Sequence, residues 1–421
     1  METSSMRMPV CATKIVTVLI VAASVFAISI VEGAALGPPR ARAWSRLPPG
    51  PDAWQQAGLA GVRGVTIGPI ESSLFPGRGY GTASTAALLD HLERMGVNWV
   101  SITPFGRVWD LQSTEILMDF EAPYEDNREA VREVVAQAHA RGMRVLLIPH
   151  LWVDTGGWRG EIDPGSPEGW AAYQQAYRGF VTAWARDAEL AGVDALSIGV
   201  ECKSWSGRFG EYWRSLISEI RQIYGGLLTY SANWDEARDV IFWDQLDLIG
   251  INAFYPLASH NGASFDEYVE GALRARDGVV ELAGTLEMPV LFVEVGYTTR
   301  RDAAVEPWLW PDDMQGVVID EAEQARALLA SFRAFVPEPW FTGFFVWRYY
   351  ADLDDVSQEA IWGFSPHGKR AERVLDRVFA EPFGVEGEPL GWLSAPIAPA
   401  PALAEVVAQN ERLIGSTVVP R

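Results

Sequence analysis

Ala195-Leu-Ser-Ile-Gly-Val-Glu201 is a short, nearly unbroken apolar run that ends on a carboxylate. Runs of this kind read as buried parallel strands, covered by helices on one face and by a packed interior on the other. Strict alternation puts Glu201, Gly199 and Ser197 on one face and Val200 and Ile198 on the other. The apolar face then suits the helices. The small, polar face suits a crowded interior that opens at the strand's C-terminal end. A second stretch, Pro289-Val-Leu-Phe-Val-Glu-Val-Gly-Tyr297, repeats the pattern and carries Glu294 near its end.

Working outward, strand-like segments are expected at 61–68, 98–105, 144–152, 195–201, 227–234, 247–255, 289–297 and 341–350. Helical patterns lie between them. In 126–140, Val131, Val134, Val135 and Ala138 recur at helical spacing, and Gly142 follows as a stop. Ser166-Pro167 opens a long helix with a capping hydroxyl and a proline in the first turn. Further helices fit 209–224, 264–286, 320–336 and 369–379. Strands alternating with helices in this way predict an α/β fold, a (β/α)8 TIM barrel forming a single catalytic domain over 56–382. An open doubly wound sheet would place a Gly-rich phosphate turn after its first strand, and Gly68-Pro-Ile-Glu-Ser-Ser73 is not one. The long segments 69–84, 106–125 and 153–166 follow strand ends and carry Tyr80, Trp109 and Trp158, so they are expected to build the barrel's mouth.

The formal charge of −21 over 421 residues argues against nucleic acid and anionic membrane surfaces as partners, since both select basic patches. The chain is rich in tryptophan, with 18; flat rings of this kind serve a core or cover the apolar face of a sugar. Cys11 and Cys202 are the only cysteines, which leaves no cysteine zinc site. Cys202 reads as a small buried thiol rather than a nucleophile. Arg7 and Lys14 precede an uncharged run over 15–30, and Gly33-Ala-Ala35 follows. Residues 1–35 therefore read as a secretory signal peptide, which implies a secreted or periplasmic, cell-envelope location. Membrane attachment is expected only if that segment stays uncleaved. Residues 36–55 read as a linker, and 383–421 as a Pro/Ala-rich C-terminal extension.

Glu201 ends the fourth expected strand and Glu294 lies near the end of the seventh. Two carboxylates above a barrel supply what glycoside hydrolysis needs: one protonated, to release the leaving oxygen, and one ionised, to attack the anomeric carbon. Burial and mutual repulsion push two such groups to opposite roles. The competing structural role for each glutamate is pairing with a neighbouring Arg107 or Arg348.

The chain resembles the clan of retaining (β/α)8 glycosidases, and within it glycoside hydrolase family 113, the β-mannanases. The resemblance rests on Ser197-Ile-Gly-Val-Glu201, Ile249-Gly-Ile-Asn-Ala-Phe-Tyr-Pro256, Phe292-Val-Glu-Val-Gly-Tyr297 and Trp362-Gly-Phe-Ser-Pro-His-Gly-Lys369. It spans about residues 60 to 380. By position it implies Glu201 as general acid/base and Glu294 as nucleophile. Val200 stands where the wider clan carries Asn, a departure that family 113 shares. The implied activity is retaining hydrolysis of β-1,4-mannan or manno-oligosaccharides, and the leader would make it secreted. No His-X-X-X-His, EF-hand or phosphate-loop pattern appears, so no cofactor and no metal are expected. The alternatives are a retaining β-glucanase or other β-hexoside hydrolase, or a carbohydrate-binding barrel without turnover.

Five further residues are expected at the mouth as substrate-binding groups. His150 and Trp152 share a facing at the end of the third strand. Asn233 closes a polar stripe with Thr229 and Ser231 on the fifth. Tyr255, after the sixth, is placed to donate to the nucleophile, and Trp347, on the eighth, to form a platform under the sugar. Arg348 has the opposite parity and reads as an ion-pair partner. Trp158, Trp205 and Trp234 are candidate platforms for more distant sugars.

Overall fold

The computed structural model describes residues 61–380, apart from 71–73, 120–121 and 355–357. The expected leader, linker and C-terminal extension lie outside the described residues. Eight parallel strands close into a barrel: β1 (Val62–Gly68), β2 (Trp99–Ile102), β4 (Arg144–Leu147), β6 (Ala195–Val200), β7 (Leu227–Asn233), β8 (Ile249–Asn252), β9 (Val290–Val295) and β10 (Phe341–Tyr350). β1 pairs with both β2 and β10 and so closes the ring. Apolar side chains from the strands, among them Trp99, Leu146, Leu227, Leu291 and Phe345, fill the barrel's interior. A larger apolar layer packs the strands' outer faces against the helices. Among the described residues no helix is long and apolar enough to cross a membrane.

The α-helices among the described residues are α1 (Ala83–Arg94), α2 (Tyr124–His139), α3 (Pro167–Ala191), α4 (Lys203–Ser206), α5 (Gly210–Ile223), α6 (Phe265–Leu286), α7 (Glu321–Phe335) and α8 (Arg370–Ala380). α6 and α7 begin and end within a residue of where the sequence places them. The Ser166 hydroxyl accepts from the Gly169 amide at the start of α3, and Ser264 and Glu267 form a reciprocal capping box on α6.

Two expected strands are each broken. The segment 98–105 divides into β2 and β3 (Phe105–Val108), and 144–152 into β4 and β5 (His150–Val153). Pro104 and Pro149 stand at the breaks. A proline has no N–H to give to a barrel ladder, so each strand leaves the ring there. β3 and β5 then pair with one another as a small parallel sheet at the strands' C-terminal ends, with Phe105 opposite His150. The bidentate Arg107–Asp154 ion pair, at 2.9 and 3.1 Å, ties the two together, which gives Arg107 a partner other than a glutamate of the mouth.

Strict alternation also fails on the two strands that carry the glutamates. Ser197 pairs with Thr229 and Val200 with Ser231, so three steps along β6 match two along β7. On β9, Phe292 pairs with Ile251 and Glu294 with Asn252, two steps against one. Each is a β-bulge, in which the extra residue bends the strand and re-aims the side chains beyond it. On β6 the bulge turns Val200 into the barrel's interior, beside Trp99 and Val293, and not outward as its parity predicts. Gly199 turns outward instead. A β-carbon there would fall 2.4 Å from the Tyr177 hydroxyl, so only glycine fits.

Candidate active site

Glu201 follows the β6 bulge with φ at +48°, a left-handed conformation that costs a side-chain-bearing residue about 1–2 kcal/mol. The surroundings hold it there. Its carboxylate Oε2 accepts from the Trp158 indole N–H at 2.7 Å and from Arg159 at 2.8 Å, and Oε1 accepts from the Asn252 amide at 2.9 Å. Trp158 and Arg159 sit at a 3-10 turn (Arg159–Glu161) inside the long loop after β5. Gly160 lets the Trp158 ring fold back, since a β-carbon would meet that ring at 2.5 Å. Lys203, itself paired with Asp235, lies over the same ring at 5.9 Å.

Glu294 is more enclosed, 4% exposed against 7% for Glu201. Its Oε1 has no hydrogen-bond partner among the described residues, and His150 Nε2 stands 3.4 Å away. Burial, with the charge of Glu201 added, pushes the Glu294 carboxyl well above the ordinary range; Arg159, Arg348 and Asn252 pull the other way. Burial likewise holds the His150 ring far below its usual pKa, so it is a neutral imidazole beside the glutamate. Asn252 bonds Glu201 and stands opposite Glu294 in the β8–β9 pairing.

The aromatic expectations divide. Trp347 is buried at the end of β10, with Phe254 and Phe364 beneath it and the His150 ring stacked 6.1 Å away. The peptide bond joining it to Arg348 is cis. Trp152 is 43% exposed on the small rim sheet and meets Phe105 edge-on. Trp234 stacks on Trp308 at 5.6 Å, and Trp308 itself is half exposed. Trp158 is a hydrogen-bond donor to Glu201. Trp205 is wholly buried among Trp170, Tyr177 and Trp213 behind β6, where no sugar reaches it.

Three placements differ from the expected ones. The Tyr255 ring lies between Trp234, Phe292 and Phe335, and Phe292 belongs to the helix-facing layer. Asn252, three residues earlier, takes the place by Glu294 that Tyr255 was expected to hold. Asn233 reaches the rim, but its amide donates to Asp235 at 2.8 Å. Arg348 has its guanidinium over Trp347, Trp310 and Tyr350 and donates to the Tyr350 hydroxyl at 2.6 Å, an aromatic setting in place of an ion pair. Cys202 is buried, and burial pushes its thiol up to about 12, which fits packing and not nucleophilic attack. Arg159 and Asn252 are the residues that sequence reasoning missed. Asn252 stands inside the quoted Ile249–Pro256 motif, on the same stretch as the favoured Tyr255, whereas nothing in the long loop singled out Arg159.

Two buried glutamates thus share one mouth, at the ends of the fourth and seventh barrel strands. The model of glycoside hydrolase family 113 matches residues 75–369. The chain belongs to glycoside hydrolase family 113. Solved structures similar to it include the family 113 β-mannanase AaManA from Alicyclobacillus acidocaldarius in complex with ManMIm. That chain is 27% identical with a TM-score of 0.65, over 76% of this chain and 97% of the other. A complex of a family 113 β-1,4-mannanase is 25% identical with a TM-score of 0.64, over 76% and 98%. A Faecalibacterium prausnitzii β-glucuronidase, 16% identical with a TM-score of 0.51 over 77% of this chain and 50% of its own, shares the barrel fold. No curated protein sequence matches the chain. As a family 113 member it is a glycoside hydrolase, and its substrate is a carbohydrate.

Proposed function

We propose that this family 113 hydrolase is an exported enzyme that cleaves β-1,4-mannan or manno-oligosaccharides with retention of configuration. Glu201 acts as general acid/base and Glu294 as nucleophile. The observation that carries the reading is the pair of buried carboxylates on the fourth and seventh strands, with the Asn252 amide bonded to the first. Asn252 bonds the Glu201 carboxylate and pairs with Glu294 in the β8–β9 ladder, so both glutamates belong to one mouth. Double displacement calls for carboxylates about 5–5.5 Å apart, whereas inversion leaves about 6.5–9.5 Å for a water.

In the first step Glu201 gives its proton to the glycosidic oxygen while a Glu294 oxygen attacks the anomeric carbon, forming a glycosyl ester. In the second, Glu201 takes a proton from water, which attacks the same carbon and frees Glu294. This mechanism starts with one proton on the pair, carried by Glu201. Burial opposes the ionised form of Glu294. Sugar hydroxyls supply what Oε1 of Glu294 lacks, a hydrogen-bond donor, and so favour its ionised form. The proton then belongs on Glu201. His150, neutral and buried, is set to bond a hydroxyl of the same sugar, with Trp347 as its platform.

The roles separate by azide rescue. Glu294→Ala should lose hydrolysis and, with azide, yield the inverted α-glycosyl azide. Glu201→Ala should give a β-glycosyl azide, chiefly from substrates with good leaving groups. Exchange of the two outcomes would refute the assignment. Export is checked by fractionating an expressing cell and reading the N-terminus of the mature chain. Protein that stays in the cytoplasm with residues 1–35 intact refutes it.

A further inference from the structure

We propose that Glu236 is a positioning residue for Glu201, acting through Tyr230 on the peptide group just past the acid/base. The proposal rests on the reading of Glu201 given above.

Glu236 lies in the turn after β7 and is fully buried. It stands behind the barrel wall, on the side where Tyr230 packs against Trp213 and Phe242. From there a chain of hydrogen bonds runs to the acid/base. The Asn233 amide donates to Glu236 Oε2 at 3.0 Å, and the Tyr230 hydroxyl donates to Oε1. The same hydroxyl oxygen accepts from the Cys202 amide at 2.6 Å. On the other side of Glu201, its own amide donates to the Ser231 carbonyl at 2.8 Å. Both peptide groups flanking Glu201 are therefore pinned by β7, one through the ladder and the other through Tyr230.

That second pin has a specific task. A left-handed residue with a side chain relaxes unless its surroundings over-determine it. Rotation about the Glu201 backbone would swing its carboxylate away from Trp158, Arg159 and Asn252. A phenol that donates to a carboxylate is polarised by it, which strengthens the bond its oxygen accepts. Glu236 is well placed for this. Its partners are a hydroxyl and a peptide N–H, with no cation in direct contact among the described residues. A buried carboxylate so placed is costly, and the charge of Glu201 adds to the cost. A glutamine could keep the Tyr230 bond only by turning its NH2 toward the Asn233 N–H, donor against donor.

The test uses Glu236→Gln and Tyr230→Phe in the full chain at about pH 8, where Glu236 is ionised, each with two substrates. A manno-oligosaccharide has a poor leaving group and depends on the proton from Glu201. A 2,4-dinitrophenyl β-mannoside leaves without it. If Glu236 holds the acid in place, kcat/KM on the oligosaccharide falls about 10- to 100-fold in both variants. The loss on the aryl mannoside stays within about threefold, because acid catalysis contributes little there. Equal losses on both substrates mean that Glu236 is merely structural and overturn the proposal, as does an unchanged oligosaccharide rate. Should Glu236→Gln not fold, as judged by circular dichroism, Tyr230→Phe decides the matter alone. Wild-type protein that hydrolyses neither substrate sinks the reading of the site and this proposal together, whereas a turning-over enzyme without the split sinks the proposal alone.

Discussion

Glu236 makes a prediction about stability that is independent of catalysis. Burial, the largest influence, outweighs its hydrogen bonds and, with a smaller push from the Glu201 charge, raises its carboxyl from an ordinary 4.5 to about 7. The folded protein thus holds a proton that the unfolded chain has already released. A group of this sign leaves stability intact below pH 4.5 and erodes it as pH climbs from 4.5 through 7. At about 1.4 kcal/mol per unit, that interval amounts to on the order of 3 kcal/mol. Glu236→Gln cannot titrate. It pays instead a pH-independent penalty of about 1–3 kcal/mol for the donor facing the Asn233 amide. At about pH 5 the variant should be the less stable protein. By about pH 8 the wild type has lost most of its roughly 3 kcal/mol, and the two should lie close together or cross. Glu294, also raised by burial, contributes a slope of the same sign to both proteins and cancels in the difference. Urea unfolding of both proteins at several values between about pH 5 and 8, followed by tryptophan fluorescence, measures that difference. A stability gap that stays constant across this range would refute the argument, since it would mean that Glu236 ionises in the fold as it does in water.

Three other outcomes are expected. Gly199→Ala pushes a methyl into the Tyr177 hydroxyl at 2.4 Å and should destabilise by about 1–3 kcal/mol, read as a lower urea midpoint. Asn252→Ala removes the amide that bonds the Glu201 carboxylate and should lower kcat/KM on manno-oligosaccharides about 100-fold with the fold intact, a loss that steady-state kinetics will detect. Cys202, buried and with its thiol pushed up to about 12, should resist iodoacetamide at about pH 8 in the native protein and react once urea is added, as followed by mass spectrometry of its peptide.

The barrel was legible because its strands are apolar runs spaced by helical patterns, and burial on both faces writes that signal directly into composition. The two prolines that split the second and third expected strands were equally legible in principle. Their effect depends on having another freed segment to pair with, which a local reading does not supply. The glutamates could be found because each ends such a run. Their orientation could not, because a bulge is a property of two strands in register, and Val200 reads the same whether it faces in or out. Arg159 stayed hidden for a related reason. It lies in a long loop, and a loop's approach to Glu201 is a tertiary event with no period to betray it. Tyr255 misled because donor chemistry at a strand end suits the mouth, yet its ring found more apolar surface against Phe292 and Phe335.

The paired bulges on β6 and β9 also bear on how this site could be moved. An engineer copying the two glutamates onto a regular barrel at matching strand positions would aim both side chains wrongly. The extra residue between Ser197 and Val200 and the one between Phe292 and Glu294 would have to travel with them. With the first must go an outward glycine and the Tyr177 and Tyr230 rings that occupy the space of its missing side chain. The smallest transplantable part of this enzyme is therefore two irregular strand ends with their neighbours, not two acidic residues.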